Sequence, residues 1–144
     1  MKETLLPHEI FGKIQEMEDR KERIAFLKNN AYKQIKTILQ LAFNDKIQLD
    51  LPPGAPPYTP NPEEKFPISS MSSIFRTIGY CVKSSKYPPI RKESWFISIL
   101  EQLHAEDARI LIAAKDGNIP TFQNKKYSKI TKSLVKDTFP ELLG

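Results

Sequence analysis

The chain has little of what most enzymes and secreted proteins are built from. Its 144 residues include one cysteine, two histidines and five glycines. The lone Cys81 excludes a disulfide framework, and its neighbours Ile78 and Val82 on a predicted helix mark it as a small buried apolar side chain rather than a reactive thiol. Gly12, Gly54, Gly79, Gly117 and Gly144 are isolated, which excludes the glycine-rich loops that cradle phosphates and dinucleotides. His8 and His104 stand 96 positions apart, each beside acids that read as helix-start residues. They lack a supporting ligand set, so cap or surface roles are expected and no metal. Paired acids such as Glu63 and Glu64 are ordinary for a polar loop. No apolar run reaches signal-peptide or membrane-span length, so a cytoplasmic protein without membrane contact is expected. No catalytic residue and no cofactor is expected.

Two segments also lack acidic residues altogether. Residues 65–92 and 117–136 hold eleven Lys or Arg and no Asp or Glu, while the remaining 96 residues carry eleven basic and seventeen acidic side chains. The overall +5 therefore divides into +11 in two stretches and −6 elsewhere. Such patterning marks a surface for a polyanion, or else a solvated basic face with no ligand. Proline is abundant: seven of the twelve fall between Pro52 and Pro67. There φ is fixed and backbone donors are missing, so regular helix and central strand are excluded and polyproline II is the natural local form.

What remains predicts an all-α fold, a compact bundle of about six to seven short helices in a single domain over 1–144. The N-terminal helices occupy 1–43, a Pro-rich connector follows the third helix over 44–67, and C-terminal helices fill 68–144. Pro7 opens a short helix carrying Ile10, Phe11 and Ile14. Asp19 and Glu22 have the form of a capping box before Ile24 and Leu27. From Ala31 to Phe43, Ile35, Ile38, Leu39, Ala42 and Phe43 form one stripe. Ile47, Leu49, Leu51 and Tyr58 pack the connector along its own domain. Met71, Ile74, Phe75, Ile78 and Val82 predict an amphipathic helix with Ser69 or Ser70 as N-cap. Trp95, Phe96, Ile99, Leu100 and Leu103 predict another, in which both aromatics read as core. A sixth helix begins near His104, has Glu106 and Asp107 in its first turn, and stops at Gly117. The last, Lys129 to Phe139, points Ile130, Leu134, Val135 and Phe139 inward and Lys129, Lys132 and Lys136 outward along one face.

Three segments carry a resemblance: Trp95-Phe-Ile-Ser-Ile-Leu-Glu-Gln-Leu103, Asp107-Ala-Arg-Ile-Leu-Ile-Ala-Ala-Lys-Asp116, and Ile130-Thr-Lys-Ser-Leu-Val-Lys-Asp-Thr-Phe-Pro-Glu-Leu-Leu143. They resemble the end of the helical N-terminal DNA-binding domain of phage-type ATP-dependent DNA ligases. Arg23-Ile-Ala-Phe-Leu-Lys-Asn-Asn30 followed by Ile35 to Phe43 is similar to that domain's early helix pair. In length and in Leu51-Pro-Pro-Gly-Ala-Pro-Pro-Tyr58 the chain also resembles a family of small proteins encoded by large tailed phages. The resemblance implies a phage-encoded, all-helical protein in the host cytoplasm that contacts duplex backbone, mainly in the minor groove. It does not imply ligation, because the Lys-x-Asp-Gly nucleotide-accepting motif is missing. Lys115-Asp116-Gly117 lacks the intervening residue and reads as a helix cap.

Two functions of different class are expected. The first is a non-catalytic DNA-binding accessory protein, gripping duplex or nicked DNA through Arg76, Lys83, Lys86, Arg91, Lys92, Lys125, Lys126, Lys129, Lys132 and Lys136. Such contacts give affinity without base specificity. The second is a protein-interaction or virion component that uses the same helices as an interface, with phage replication or virion proteins as partners.

Overall fold

Apolar residues at three- and four-residue spacing generate the helices seen in the computed structural model, which describes residues 4–63 and 68–143. Glu64, Lys65 and Pro67 lie outside the described residues. Helix α1 (Pro7–Glu16) buries Ile10, Phe11 and Ile14. Pro7 sits in the opening turn, where its missing donor leaves nothing unpaired, and Glu9 Oε1 accepts from the Leu6 backbone N–H at 2.9 Å. Helix α2 (Arg20–Asn30) is capped by Asp19, whose carboxylate accepts from the Lys21 N–H at 3.0 Å; Glu22 does not bond back, so half of the expected capping box forms. Helix α3 (Lys33–Phe43) buries Ile35, Ile38, Leu39 and Phe43.

The segment after the connector departs from expectation. Helix α4 (Met71–Ile74) is a single turn, and Phe75–Cys81 continues as a 3₁₀ helix. The buried residues explain the change, because Phe75, Ile78 and Cys81 recur every third position. That is the period of the tighter helix, which stacks side chains i and i+3 directly above one another. Ser70 makes no side-chain cap, and Val82 is extended rather than helical. Leu49 and Val82 instead form an isolated antiparallel bridge, with Asp50 N–H donating to the Cys81 carbonyl at 2.7 Å and Lys83 N–H to the Gln48 carbonyl at 2.9 Å.

Helix α5 (Pro89–Gln102) starts on Pro89 and buries Phe96, Ile99 and Leu100. Helix α6 (Ala105–Asp116) follows at once, N-capped by His104, whose Nδ1 accepts from Glu106 N–H at 3.1 Å. It ends on Gly117 at φ 71°, the left-handed conformation that favours glycine. Helix α6 lies centrally, packed on α1, α3 and α5. One continuous apolar core runs from Leu6 to Leu142, and each fully buried Leu, Ile or Phe in it contributes about 2 kcal/mol. Helix α7 (Phe122–Lys125) is one left-handed turn, and α8 (Lys132–Thr138) is capped by Thr131, which accepts from Leu134 N–H at 3.2 Å. A 3₁₀ turn, Pro140–Leu143, closes the described chain.

The connector is strapped to the domain, as its apolar residues predict. Leu49 is buried, Leu51 and Tyr58 pack against the core, and polar bonds pin the backbone between them. Lys115 Nζ donates to the Pro52 carbonyl at 2.8 Å, Gly54 N–H to Asp116, and Thr59 N–H to Glu101 at 2.8 Å. Among the described residues no strand forms, and no helix is long and apolar enough to cross a membrane.

Candidate nucleic-acid interface

The ten predicted cations come from two stretches of chain. Arg76, Lys83, Lys86, Arg91 and Lys92 belong to the 3₁₀ segment, the following loop and α5; Lys125, Lys126, Lys129, Lys132 and Lys136 sit around α7 and α8. Among the described residues no direct hydrogen bond or ion pair joins the two groups, but both approach Asp45, which pairs with Lys132 at 3.9 Å and lines one cleft with Lys83.

Lys92 is not on the surface. It is 1% exposed, with Nζ 3.0 Å from Asp50 Oδ2 and 3.1 Å from the Ser85 carbonyl. The signal was present in the sequence, because Lys92, Phe96, Ile99 and Leu100 share one helical face. Beside it the Cys81 thiol donates to the Lys92 carbonyl at 3.5 Å, and burial pushes that thiol up to about 11 against the pull of the Lys92 charge. This makes Cys81 an inert core residue.

The other four cations of this group are exposed. Lys83 Nζ donates to the neutral Gln48 side chain at 3.0 Å. Lys86 lies 5.8 Å from the Tyr87 ring centroid, and the Arg91 guanidinium lies 5.0 Å from that of Trp95 and 5.8 Å from that of Tyr87. Arg76 lines a cleft of about 490 Å³ with Lys33, Gln34, Ile47, Phe75 and Ile78. Of the two aromatics predicted as core, Phe96 is 1% exposed while Trp95 is half-buried.

In the second group the buried carboxylate of Glu106 decides the geometry. Its Oε2 accepts from Tyr127 OH at 2.7 Å and Lys126 Nζ at 2.8 Å; its Oε1 accepts from Arg109 at 2.9 Å and Gln123 at 3.4 Å. Burial alone would raise this carboxyl, but the bonds from Lys126, Tyr127 and Arg109 outweigh it and hold Glu106 at about 2. The same clamp holds a strained turn, since Gln123, Asn124 and Lys125 all have positive φ, at 51°, 60° and 63°. Each such non-glycine residue costs about 1–2 kcal/mol and persists only where its surroundings fix it.

Lys129 also departs from the expected outward position. It precedes α8 rather than lying on it, is half-buried, and donates from Nζ to the Met17 carbonyl at 3.0 Å. Thr131 takes the cap position, so the three-, four- and seven-residue lysine spacing places only Lys132 and Lys136 on the helix. Lys132 reaches Asp45 at 3.9 Å, both side chains exposed, a pair worth under about 1 kcal/mol and easily given up. Lys125 and Lys136 have no partner among the described residues.

A second constellation joins residues that the sequence keeps far apart. The His8 and His104 rings stack at 4.3 Å with 22° between planes, and Asp107 Oδ1 accepts from His8 Nδ1 at 2.9 Å and from His8 N–H at 2.8 Å. Their potential ligand atoms lie within 4.8 Å of one another. The arrangement is nonetheless not that of a metal centre. An ion held by both imidazoles must lie in both ring planes about 2 Å from each, and nearly parallel planes do not meet there. His104 Nδ1 is moreover occupied as the α6 cap. The trio joins the start of α1 to the start of α6. Burial opposes the His8 imidazolium, but the hydrogen bond and charge of Asp107 prevail and raise its pKa. In its protonated form His8 balances a carboxylate whose Oδ2 is buried without a partner among the described residues.

The fold is all-helical, and its exposed cations form two groups, one interleaved with aromatic rings. Residues 10–121 match a family of unknown function, DUF6433, and the chain belongs to that family. No curated protein and no solved structure matches it.

Proposed function

We propose that the protein is a non-catalytic DNA-binding accessory factor, phage-encoded and acting in the host cytoplasm. It holds duplex or nicked DNA by the backbone without strong sequence preference, in the manner of the ligase DNA-binding domain it resembles. The observation that carries this reading is that Arg76, Lys83, Lys86, Arg91, Lys125 and Lys136 are exposed and bear no carboxylate partner among the described residues. Unpaired cations on a surface attract phosphate and release its counterions, and each neutralised duplex phosphate adds about −0.9 to the log–log salt slope. Six such contacts set a limiting slope of about −5.

The test is anisotropy of a labelled nicked duplex titrated with protein at several salt concentrations, against intact duplex and single strand. Binding that weakens steeply with salt is expected, and a preference for the nick extends the ligase-domain likeness. Absence of binding at low salt overturns the reading. The second reading, a protein-interaction or virion component, is favoured by Ile90, a large apolar side chain 81% exposed. It calls for a partner captured equally at low and high salt.

A further inference from the structure

We propose that Tyr80, Tyr87 and Trp95 form a stacking platform for unpaired DNA bases, with Arg91 and Lys86 holding the adjoining phosphates. This rests on the DNA-binding reading and adds which form of DNA the first basic surface takes. The three rings form a closed triangle: Tyr80 to Tyr87 is 5.4 Å between centroids, Tyr80 to Trp95 5.6 Å, and Tyr87 to Trp95 4.9 Å. They come from three separate pieces of chain, the 3₁₀ helix, the loop after it and α5. Only Trp95 packs against the core; Tyr80 and Tyr87 do not belong to it.

An aromatic cluster with a purely internal role turns its rings inward and finds partners for its hydroxyls. Here Tyr80 is 46% exposed, the Tyr80 and Tyr87 hydroxyls make no hydrogen bond among the described residues, and Ile90, 81% exposed, extends the apolar surface at the start of α5. The charge around the rings selects the occupant. Arg91 lies over Trp95 and Tyr87, Lys86 lies over Tyr87, and Glu93 is the single acidic residue from 65 to 100. Aromatic rings grouped with unpaired cations suit a strand whose bases are unstacked, the cations moving off the ring faces to reach phosphates that run alongside. Paired bases in a duplex present no such face.

The protein carries its own reporter, because Trp95 is its single tryptophan. Oligothymidylate and a blunt duplex are titrated into the full chain while Trp95 emission is followed, and anisotropy of labelled copies of both DNAs measures binding anywhere on the surface. The single strand is expected to quench Trp95 saturably and the duplex to bind with little change in emission. Tyr80→Ala and Arg91→Ala are each expected to weaken single-strand binding about tenfold and duplex binding much less, with the helical circular dichroism retained. Single-strand binding by anisotropy with unchanged Trp95 emission overturns the platform and leaves the backbone reading standing. Equal losses on both DNAs in Tyr80→Ala do the same. No anisotropy change with either DNA overturns both.

Discussion

Between residues 83 and 91 the surface cations lie over aromatic rings or meet a neutral amide, whereas between 122 and 136 Lys126 is tied to Glu106 and Lys129 to a backbone carbonyl. The first group gives up one cation, Lys92, wholly to the core; the second keeps its cations near the surface but spends two of them holding the α7 turn and the approach to α8 in place. Identical side chains thus stand as exposed charge or serve as structural pins. The decisive variable is whether a buried or half-buried carboxylate or carbonyl lies within reach.

The largest effect is expected from Asp50→Ala. It leaves the Lys92 ammonium buried with only the Ser85 carbonyl, which costs about 3 kcal/mol. Urea unfolding should show this as a lowered midpoint, and an unchanged midpoint would mean that Lys92 escapes to water.

Next comes acid. With Glu106 held at about 2 against an ordinary 4.5, the folded form gains stability from this group above pH 4.5. That gain is lost as pH falls from there toward 2. Tyr127→Phe removes one of the stabilising bonds, a loss of about 2 kcal/mol at neutral pH. It should also flatten the dependence of the urea midpoint on pH across that window; a wild-type profile in the variant would take Tyr127 out of the clamp.

The smallest effects should separate the two surfaces directly. Lys86→Glu with Arg91→Glu is expected to lower DNA affinity more than Lys132→Glu with Lys136→Glu, by about tenfold against about threefold in anisotropy titrations. Both double variants should stay within about 0.5 kcal/mol of wild-type stability, as exposed substitutions do. Reversal of that order would make the α8 lysines the principal site.

Much of the fold was legible because apolar spacing and caps are local. Ile35, Ile38, Leu39 and Phe43 announced α3, His104 and Gly117 bracketed α6, and the prolines placed the connector. The 3₁₀ segment was not, since a buried residue every third position over so short a stretch also fits an α-helical stripe. The left-handed turn was illegible for a different reason. Gln123, Asn124 and Lys125 have no glycine to signal positive φ, and the force that holds them is a carboxylate from another helix. Lys92 could have been found from its place on the buried face of α5, but a cation there reads as outward until its Asp50 partner is known.

The sequence by itself determined where α1, α2, α3, α5 and α6 lie, the net positive charge and the two stretches without acids, because periodicity, capping and composition act over a few residues. Tertiary structure alone decided which cations meet solvent, which rings gather into a triangle, and that His8 stacks on His104. Those outcomes depend on side chains from different elements arriving within about 3–6 Å of one another, and only the packed core sets those distances.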